Sequence, residues 1–317
     1  MFLLIIAVSI AAFLLMTYSP IDPLQTNVGQ TALGIMSQEQ IEKLEAYWGS
    51  TLPPLTRYIQ WAKDFFSGDM GISLLYRQPV SDIISQRLSN SIWILSAAWI
   101  LSGVFGIILG MLAGIKEGTL LDHIIKSTAI LFSSTPIFWF ALLMLMLFSV
   151  WLKWFPIGLS VPIGVTAENV TIADRIYHGI LPSFVLSIAA MPNIILHTRE
   201  KMITVLESDY VLFAKAMGKS NQQIFIQHGM RNVLLPAITL QCASISEIFG
   251  GSILAEQVFS YPGLGQMAVT AGLGGDMPLL MAIVVITACF VCAGNLLADV
   301  LHHIIDPRMR FGKGNKI

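Results

Sequence analysis

Long uncharged hydrophobic runs are the feature that most constrains this chain, because each is large enough to cross a bilayer. A membrane-crossing helix needs about 20 apolar residues. Five runs of that size carry no Asp, Glu, Lys or Arg: 1–21, 88–115, 127–152, 176–198 and 277–298. A sixth run, 232–255, contains one carboxylate, Glu247. The sequence therefore predicts an all-α integral membrane protein with six transmembrane helices.

The composition excludes several classes of soluble protein. Only 12% of the residues are charged, which is about half the usual fraction for a soluble domain. The net charge of −1 provides no basic surface for nucleic acid. Three cysteines, an odd number, lie in apolar stretches and so argue against a disulfide framework. We interpret Cys289-x-x-Cys292 as lipid-buried packing rather than as a redox pair.

The Lys and Arg residues of the connecting segments predict the direction of the spans. Segments 116–126 and 199–235 and the tail after residue 299 hold 11 of the 18 basic residues, whereas 257–276 holds none. Both termini are therefore predicted to be cytoplasmic, and the long segment 22–87 between the first two spans to lie outside. The first run lacks a basic flank and a small-x-small cleavage site, so we interpret it as a retained span rather than as a signal peptide.

Glycines and prolines mark special positions within the spans. Gly106, Gly110 and Gly114 recur every four residues and predict a groove that another helix backbone can approach closely. Two occupants of this groove stay open at this stage, a helix of another subunit and a helix of this chain. Prolines at positions 136, 182 and 192 are consistent with kinked helices around a pathway.

The stretch FAKAMGKS, 213–220, ends like a nucleotide-binding phosphate loop. A true loop has glycine where this chain has Phe213, whose side chain would fill the phosphate space. A helical stripe runs through the stretch instead, at Met202, Leu206, Tyr210, Phe213 and Met217. Gly218 suits the left-handed residue that ends a helix, and Ser220 with Gln223 forms a capping-box pattern for the next one. The sequence predicts helix, glycine turn and helix, not an ATP site.

This hairpin belongs to the segment 199–235, which is too long for a simple connection between two spans. A helical hairpin with a small-residue turn has the right shape to dock into a groove on a soluble partner. An amphipathic helix lying on lipid is the other interpretation, and residue patterns alone do not separate the two.

Six stretches of the chain carry a resemblance to a known family. They are Ser19–Pro23 (SPIDP), Leu55–Leu88, Ser133–Trp139 (SSTPIFW), Asp209–Pro236, Glu256–Gln266 (EQVFSYPGLGQ) and Asn295–Arg310. In this order they resemble the permease subunits of binding-protein-dependent ABC importers of the oligopeptide, dipeptide and nickel group. The resemblance covers nearly the whole chain. It implies a single transmembrane domain over residues 1–317, in a bacterial or archaeal cytoplasmic (inner) membrane.

The resemblance also implies partners and site residues. In this family the helix before the glycine inserts into a cleft of a separate ATPase subunit, so Ala214, Ala216 and Gly218 would form the close-approach surface. The residues it assigns to ATPase coupling are Ala214, Lys215, Ala216, Gly218, Lys219, Arg231, Asn232 and Pro236. The implied partners are a second related permease, two ATPase subunits, an extracytoplasmic solute-binding protein and the lipid bilayer. The loop at Tyr261, Pro262 and Gly263 would face the binding protein. No cofactor is implied.

Two departures from the family pattern bear on these expectations. The basic N-terminal stretch common in the family is missing, which indicates either a weak anchor or a natural start other than Met1. The alanine-lysine-glycine usual before the turn is here Ala216-Met217-Gly218, so one side chain of the expected ATPase contact differs while the turn glycine is kept.

Glu247 is the one carboxylate within a predicted span. Placing it at mid-bilayer costs roughly 2.5–3.5 kcal/mol on insertion scales, so we expect it to face protein or water. With Gly250 and Gly251 it is a candidate lining of the translocation pathway, or else a structural carboxylate bonded to a partner. An acidic residue before paired glycines resembles the nickel branch, which favours nickel or a metal chelate over a short peptide as substrate.

Other functions are weighed against this interpretation. The six histidines are scattered or adjacent in the tail and lack ligand spacing on one helix face, so no metal site is predicted. No nucleophile has a base at suitable spacing, which argues against an intramembrane enzyme. A secondary transporter driven by an ion gradient is the main alternative, and an importer restricted to peptides is the alternative within the family.

Overall fold

The computed structural model describes residues 1–21, 26, 36–37, 39–40, 52–162, 164, 169–225 and 229–305, without the side chains of 221, 222, 231 and 301–305. Much of the predicted external segment and part of the C-terminal motif therefore lie outside the described residues, as do the side chains of His302, His303 and Arg231. Within the described part the secondary structure is helical, apart from one isolated bridge between Ile72 and Pro79.

The helices, in chain order, are α1 Phe2–Thr17, α2 Pro54–Phe66, α3 Val80–Ile115, α4 Leu120–Ser134, α5 Ile137–Met144 with a π-helical continuation Leu145–Trp151, α6 Ile172–Leu206, α7 Asp209–Ala216, α8 Asn221–Ile224, α9 Met230–Ala243, α10 Ile245–Val258, α11 Leu264–Leu273 and α12 Met277–Ile305. They divide into two compact units. The first comprises Met1–Ser91 and Pro262–Cys292, and the second comprises Ile92–Tyr261 and Ala293–Ile317.

The hydrophobic runs predict the positions of the long helices well. Within the described residues α3, α6 and the part of α12 over Met277–Val300 are each long and apolar enough to cross a membrane. Two bent pairs, α4 with α5 and α9 with α10, bring the number of candidate spans to five if each pair counts as one. Helix α1, at 16 residues, is shorter than an ordinary span. The count of six spans therefore stays a prediction.

The predicted third span, 127–152, is not one straight helix. It begins earlier, at Leu120, and α4 and α5 meet at an angle of 109°. The bend follows from Pro136, because a proline pushes the preceding residue out of helical conformation. Thr135 is accordingly extended, with φ −95° and ψ 123°. The segment is a bent pair of helices, as the kink expected at Pro136 predicts, and whether the pair forms one span stays a prediction.

The predicted fifth span, 232–255, is also bent, by 44° between α9 and α10. Ser244 lies at the junction, and its hydroxyl donates a 2.8 Å hydrogen bond to the carbonyl of Gln241. Serine hydroxyls that bond back to the preceding turn tend to bend helices. Glu247 therefore lies in the first turn of a new helix rather than in the middle of a continuous one.

The first unit is held together by a small apolar core and one buried carboxylate. Residues of α3, α11 and α12, among them Val80, Met267 and Leu279, form the core. Asp276 precedes α12 and is fully buried. Its carboxylate accepts hydrogen bonds from the hydroxyl of Ser73 at 2.5 Å and the backbone N–H of Leu279 at 3.2 Å. This carboxylate joins the segment before α3 to the start of α12.

The core of the second unit is formed by α3, α5, α6 and α10. Gly106, Gly110 and Gly114 of α3 face α6, which settles the occupant of the groove left open by the sequence. A Cβ on Gly110 would lie 2.7 Å from the carbonyl oxygen of Ile195, so the two backbones touch. The glycine stripe is a packing surface within this chain.

Candidate functional site

The segment predicted to couple to an ATPase begins with a helix break. Helix α6 ends at Leu206, and Ser208, with φ −70° and ψ 149°, leads into α7. The prediction of one continuous stripe from Met202 to Met217 is therefore wrong. Met202 is fully buried under α9, whereas 67% of the Phe213 side chain is exposed. The two ends of the supposed stripe belong to different helices with different surroundings.

The glycine turn after α7 has the predicted geometry. Gly218 has φ +80°, the left-handed conformation that glycine adopts without steric cost. Its N–H donates to the carbonyl of Lys215 at 2.9 Å, and the N–H of Lys219 donates to the carbonyl of Ala214 at 3.2 Å. These two bonds form a Schellman cap. The left-handed assignment of Gly218 is confirmed.

The second half of the hairpin begins with the predicted capping box. The N–H of Ser220 donates to the side-chain oxygen of Gln223 at 3.0 Å, and the N–H of Gln223 donates to the Ser220 hydroxyl at 3.3 Å. The one-turn helix α8 follows. Helix, cap and helix replace the glycine-rich loop between a strand and a helix that a phosphate site requires. The predicted succession of helix, glycine turn and helix in FAKAMGKS is confirmed.

The hairpin packs on itself through three side chains. Val211, Ala214 and Ile224 form a small buried cluster. Ala214 is only 4% exposed, so it supports the hairpin from within and does not lie on the close-approach surface that the resemblance implies. The hydroxyl of Tyr210 accepts a 3.3 Å hydrogen bond from the amide of Asn232, which connects α7 to α9. Pro236 lies inside α9 and is half-buried.

The opposite side of α7 is exposed and largely apolar. We call it the α7 face. Leu212, Phe213 and Met217 are 53%, 67% and 65% exposed, respectively. The remaining members of the α7 face are Lys215, Ala216 and Gly218, all exposed. Three large exposed apolar residues on an eight-residue helix and its cap make the α7 face a candidate interaction surface, either for a protein partner or for lipid.

A buried ion pair anchors the helix from which the hairpin projects. Arg199 lies two turns before the end of α6, and Asp122 in the first turn of α4. The carboxylate accepts two hydrogen bonds from the guanidinium, at 2.5 Å from Nε and 2.7 Å from Nη2, and a third from the N–H of Gly118 at 3.0 Å. Asp122 is only 2% exposed. The sequence alone shows two unlike charges 77 residues apart and gives no signal that they pair.

Replacing Asp122 by asparagine is expected to destabilise the fold by about 1–2 kcal/mol, because hydrogen bonds to a charged group are the stronger ones and the half-buried guanidinium of Arg199 loses its counter-charge. The measurement is thermal unfolding of the detergent-solubilised permease. Asp82→Asn is the matched control, since Asp82 lies in the first turn of α3 but is exposed. Equal loss in both variants would contradict the role of the ion pair.

Glu247, the predicted pathway residue, lies on the exposed side of α10. Its carboxylate is hydrogen-bonded to the side chain of Asn193 on α6, a partner 54 positions away that the sequence does not suggest. Gly250 faces open space, whereas a Cβ on Gly251 would lie 2.9 Å from Ile137 of α5. The paired glycines therefore differ, because Gly251 packs against α5 within the second unit whereas Gly250 leaves space beside α10.

A polar stripe continues from Asn193 along α6. Asn193, His197 and Glu200 recur at spacings of four and three, and all three are exposed. Polar side chains on one face of a membrane helix face water or protein rather than lipid. The hydrogen bond between Asn193 and Glu247 joins this stripe to α10, so the two helices share one polar surface.

A cavity of about 140 Å³ opens beside Glu247. Its lining comes from four helices and from the bend between α4 and α5, and includes Ser133, Thr135, Ile188, Pro192, Asn193 and Glu247. A broken helix beside a mid-span cavity is a common way of building binding sites in membrane transporters. The proline and the carboxylate both stand out in the sequence, but the sequence does not show that the bend at Pro136 and Glu247 border the same cavity.

The loop expected to face a binding protein is mostly buried in this chain. Tyr261 is 1% exposed and packs in the core of the second unit, and Gly263 is also buried. Burial, and then the neighbouring charge of Glu256, raise the pKa of Tyr261 to about 12, so the phenol stays neutral. Pro262 is half-buried. The role of this loop in partner contact stays a prediction, and the Tyr261 side chain would not provide that contact in this conformation.

Potential metal ligands are not clustered in the described part of the chain. No three His, Cys, Asp or Glu side chains come together there in a group that could hold a metal ion. The hydrogen-bonding neighbour of Glu247 is the amide of Asn193. On the polar stripe of α6 the next residues are His197 and Glu200.

Sequence comparison decides the family. A model of the family described as "Binding-protein-dependent transport system inner membrane component" matches residues 106–311. The chain belongs to this family of ABC importer permeases. The permease is 35% identical to the oligopeptide transport system permease protein AppB of Bacillus subtilis, over 97% of this chain and 96% of that one. It is 29% identical to the dipeptide permease DppB of Escherichia coli, over 97% and 95% of the two chains.

A solved structure supports the fold of the permease. The inward-facing MetNI methionine ABC transporter matches with a TM-score of 0.54 at 17% identity, over 70% of this chain and 97% of the matched chain. At that identity the likeness concerns the fold alone. It agrees with an all-helical permease fold.

Proposed function

We propose that this permease forms half of a peptide-import pathway and that ATPase subunits drive it by docking on the α7 face. A second, related permease would complete the pathway. ATP-driven closure of the two ATPases would draw the hairpins together and turn the cavity outward, which is alternating access. A solute-binding protein would deliver the substrate to the outer surface.

The exposed α7 face is the observation that supports docking most directly. Leu212, Phe213 and Met217 are presented on a helix that is stiffened by a Schellman cap and by its own buried cluster. Amphipathic helices that enter a partner's groove present their anchors in this way. Rigidity matters because a preformed helix loses little conformational entropy on binding. A rigid helix also moves as one body with the bound ATPase. The ion pair of Arg199 with Asp122 fixes the end of α6, from which the hairpin projects, to α4.

The orientation in the inner membrane follows from the same assignment. If α7 meets an ATPase, the segment 199–235 is cytoplasmic, in agreement with its five basic residues. With six spans both termini are then cytoplasmic, and residues 22–87 and the Tyr261 loop lie on the side of the binding protein. The connecting hairpin, the pathway and the outer segment form one transmembrane domain over residues 1–317.

Short peptides are the substrate we propose. Relatives at 35% and 29% identity are named for oligopeptide and dipeptide transport. The nickel or metal-chelate substrate favoured by Glu247 alone lacks a second ligand group beside that residue in the described part of the chain. A divalent metal in a protein site takes several such ligands, whereas one carboxylate in a cavity suits a peptide's ammonium group.

Uptake by reconstituted proteoliposomes tests the proposal. With both permeases, the ATPases and the binding protein present, we expect trialanine to accumulate only when ATP is supplied. Phe213→Asp is expected to lower uptake and ATPase co-purification about 30-fold or more, because buried aromatic anchors carry about 2 kcal/mol or more at interfaces. Accumulation driven by an ion gradient without any ATPase would favour a secondary transporter instead.

Ile172→Asp provides the matched control for this variant. Ile172 is an equally exposed apolar residue, at 78%, but it begins α6 far along the chain from the hairpin. An acidic residue is favourable in the first turn of a helix, so the substitution itself is well tolerated. If Ile172→Asp weakened ATPase binding as much as Phe213→Asp, the α7 face would not be the docking surface.

A further inference from the structure

We infer that the cavity beside Glu247 holds the α-ammonium group of the transported peptide. This inference rests on the proposed function and goes beyond it by naming the chemical group of the substrate that this chain recognises. The cavity is lined by α4, α5, α6 and α10 of one compact unit. Its volume of about 140 Å³ is below the range of sites that enclose a whole small molecule, so it has room for one end group of a peptide.

The charge of the cavity favours a cation. Among the residues that line it Glu247 carries the only formal charge, and neither Lys, Arg nor His is among them. The side-chain amide of Asn193 bonds to Glu247. An amide that donates to a carboxylate leaves its own carbonyl oxygen free to accept. The pair thus offers acceptors on two neighbouring helices.

Two backbone carbonyls of the lining also lack their helical donors. Pro192 has no N–H, so the carbonyl of Ile188, four residues earlier, loses its partner within α6. Helix α4 breaks at Thr135, so the carbonyl of Ser133 has no N–H from the next turn of the same helix. Carbonyls at a break in a membrane helix are typical ligands of cations in transporters, and Ser133 lies at such a break, whereas Ile188 lies in a helix that continues past Pro192.

A primary ammonium matches this set of acceptors better than a metal ion does. It carries three N–H donors and no acceptor, and it can be satisfied by one carboxylate and two carbonyl or hydroxyl oxygens. Ca²⁺ takes six to eight oxygen ligands, and imidazole or thiolate groups suit Ni²⁺, Cu²⁺ and Zn²⁺ better than a single carboxylate does. A peptide with a free N-terminus supplies such an ammonium group without further ligands.

Thiol labelling measures the preference of the cavity without depending on transport. Ser133 is exposed and lines the cavity, so Ser133→Cys places a reporter there in the full transporter complex in nanodiscs. We expect the cationic 2-aminoethyl methanethiosulfonate to react faster than the anionic 2-sulfonatoethyl reagent. Adding Glu247→Gln should reduce that rate ratio about tenfold. Protein without Ser133→Cys gives the background from the three native cysteines.

Protection by peptide tests the group recognised. Trialanine is expected to slow labelling at Cys-substituted Ser133, whereas N-acetyl-trialanine, which lacks the ammonium, should not. Glu247→Asp, which keeps the charge, should retain protection, and a monodisperse complex of each variant shows that it is folded. Equal protection by both peptides, no protection by either, or a rate ratio unaffected by Glu247→Gln would overturn the inference.

The outcomes separate this inference from the proposed function. If trialanine is taken up with ATP but its free amine makes no difference to protection, peptide import stands and the ammonium site fails. If no peptide is taken up, peptide import fails. The labelling ratio still reports whether the cavity selects cations, and protection by trialanine alone would still identify the ammonium group.

Discussion

Gly114→Ala is expected to destabilise the permease by about 3 kcal/mol, at the upper end of the usual cost of overpacking. The added Cβ would lie 2.6 Å from the Cβ of Met202 and 2.8 Å from the carbonyl oxygen of Arg199. Neither atom belongs to the free end of a side chain, so no rotamer change relieves the overlap. Helices α3 and α6 would have to move apart, and the contacts along their whole shared surface would loosen.

Thermal unfolding of the detergent-solubilised permease measures this effect, as a fall in Tm of several degrees. Gly250→Ala is the control, because Gly250 is also a helix glycine but no atom lies within 4 Å of a Cβ added there. That substitution should leave the stability of the chain unchanged or raise it by up to about 1 kcal/mol, since alanine favours the helix. Wild-type stability in Gly114→Ala would show that α3 and α6 do not touch as described.

The glycine stripe shows which part of helix packing residue spacing predicts and which part it does not. Spacing alone predicts that Gly106, Gly110 and Gly114 form a groove, because the 3.6-residue period places them on one face. Nothing in the spacing says which helix fills it. The partner, α6, begins 58 residues after Gly114, and only the fold brings Ile194 and Met202 onto the groove.

Hydrophobic runs predicted helix positions better than helix ends. They place α3, α6 and α12 correctly because apolar content persists across each span. They miss the start of α3 at Val80, eight residues before the run begins, because a helix continues into residues that are too polar for the membrane. The helical stripe misses the break before α7, because Met202 and Phe213 keep a helical spacing across two residues that are not helical.

The cavity beside Glu247 could be predicted only in parts. The carboxylate and Pro136 each stand out in the sequence, one by the cost of its charge in lipid and the other by its effect on the backbone. Asn193 is an ordinary polar residue at the end of a predicted span and carries no such signal. Its significance comes from the packing of α6 on α10, which is a contact between distant parts of the chain.

The largest functional effect is expected from Gly218, where Gly218→Val and Gly218→Asn should both abolish ATP-driven uptake. Either side chain would project from the turn that the proposed function places against the ATPase. No atom of this chain lies within 4 Å of a Cβ added to Gly218, so the permease itself has room for both. Loss of uptake would therefore report on the partner rather than on internal packing.

The two substitutions separate backbone strain from docking. Gly218 has φ +80°, a conformation that costs an ordinary residue about 1–2 kcal/mol but that asparagine adopts more readily. If strain in the hairpin were the whole effect, Gly218→Asn would transport almost normally and only Gly218→Val would fail. If close approach to a partner matters, both should fail to retain the ATPase, although each chain still inserts into the membrane.

Gly68 provides a control with the same local structure. It follows α2 with φ +93°, its N–H donates to the carbonyl of Phe65, and the next N–H donates to the carbonyl of Asp64. This is the Schellman cap of Gly218 repeated, also with open space around the added Cβ. In the proposed orientation Gly68 lies outside the membrane, away from the ATPase, so Gly68→Asn should keep the ATPase bound. Retention of the ATPase by Gly218→Asn, or its loss from Gly68→Asn, would remove the reason for placing the ATPase at α7.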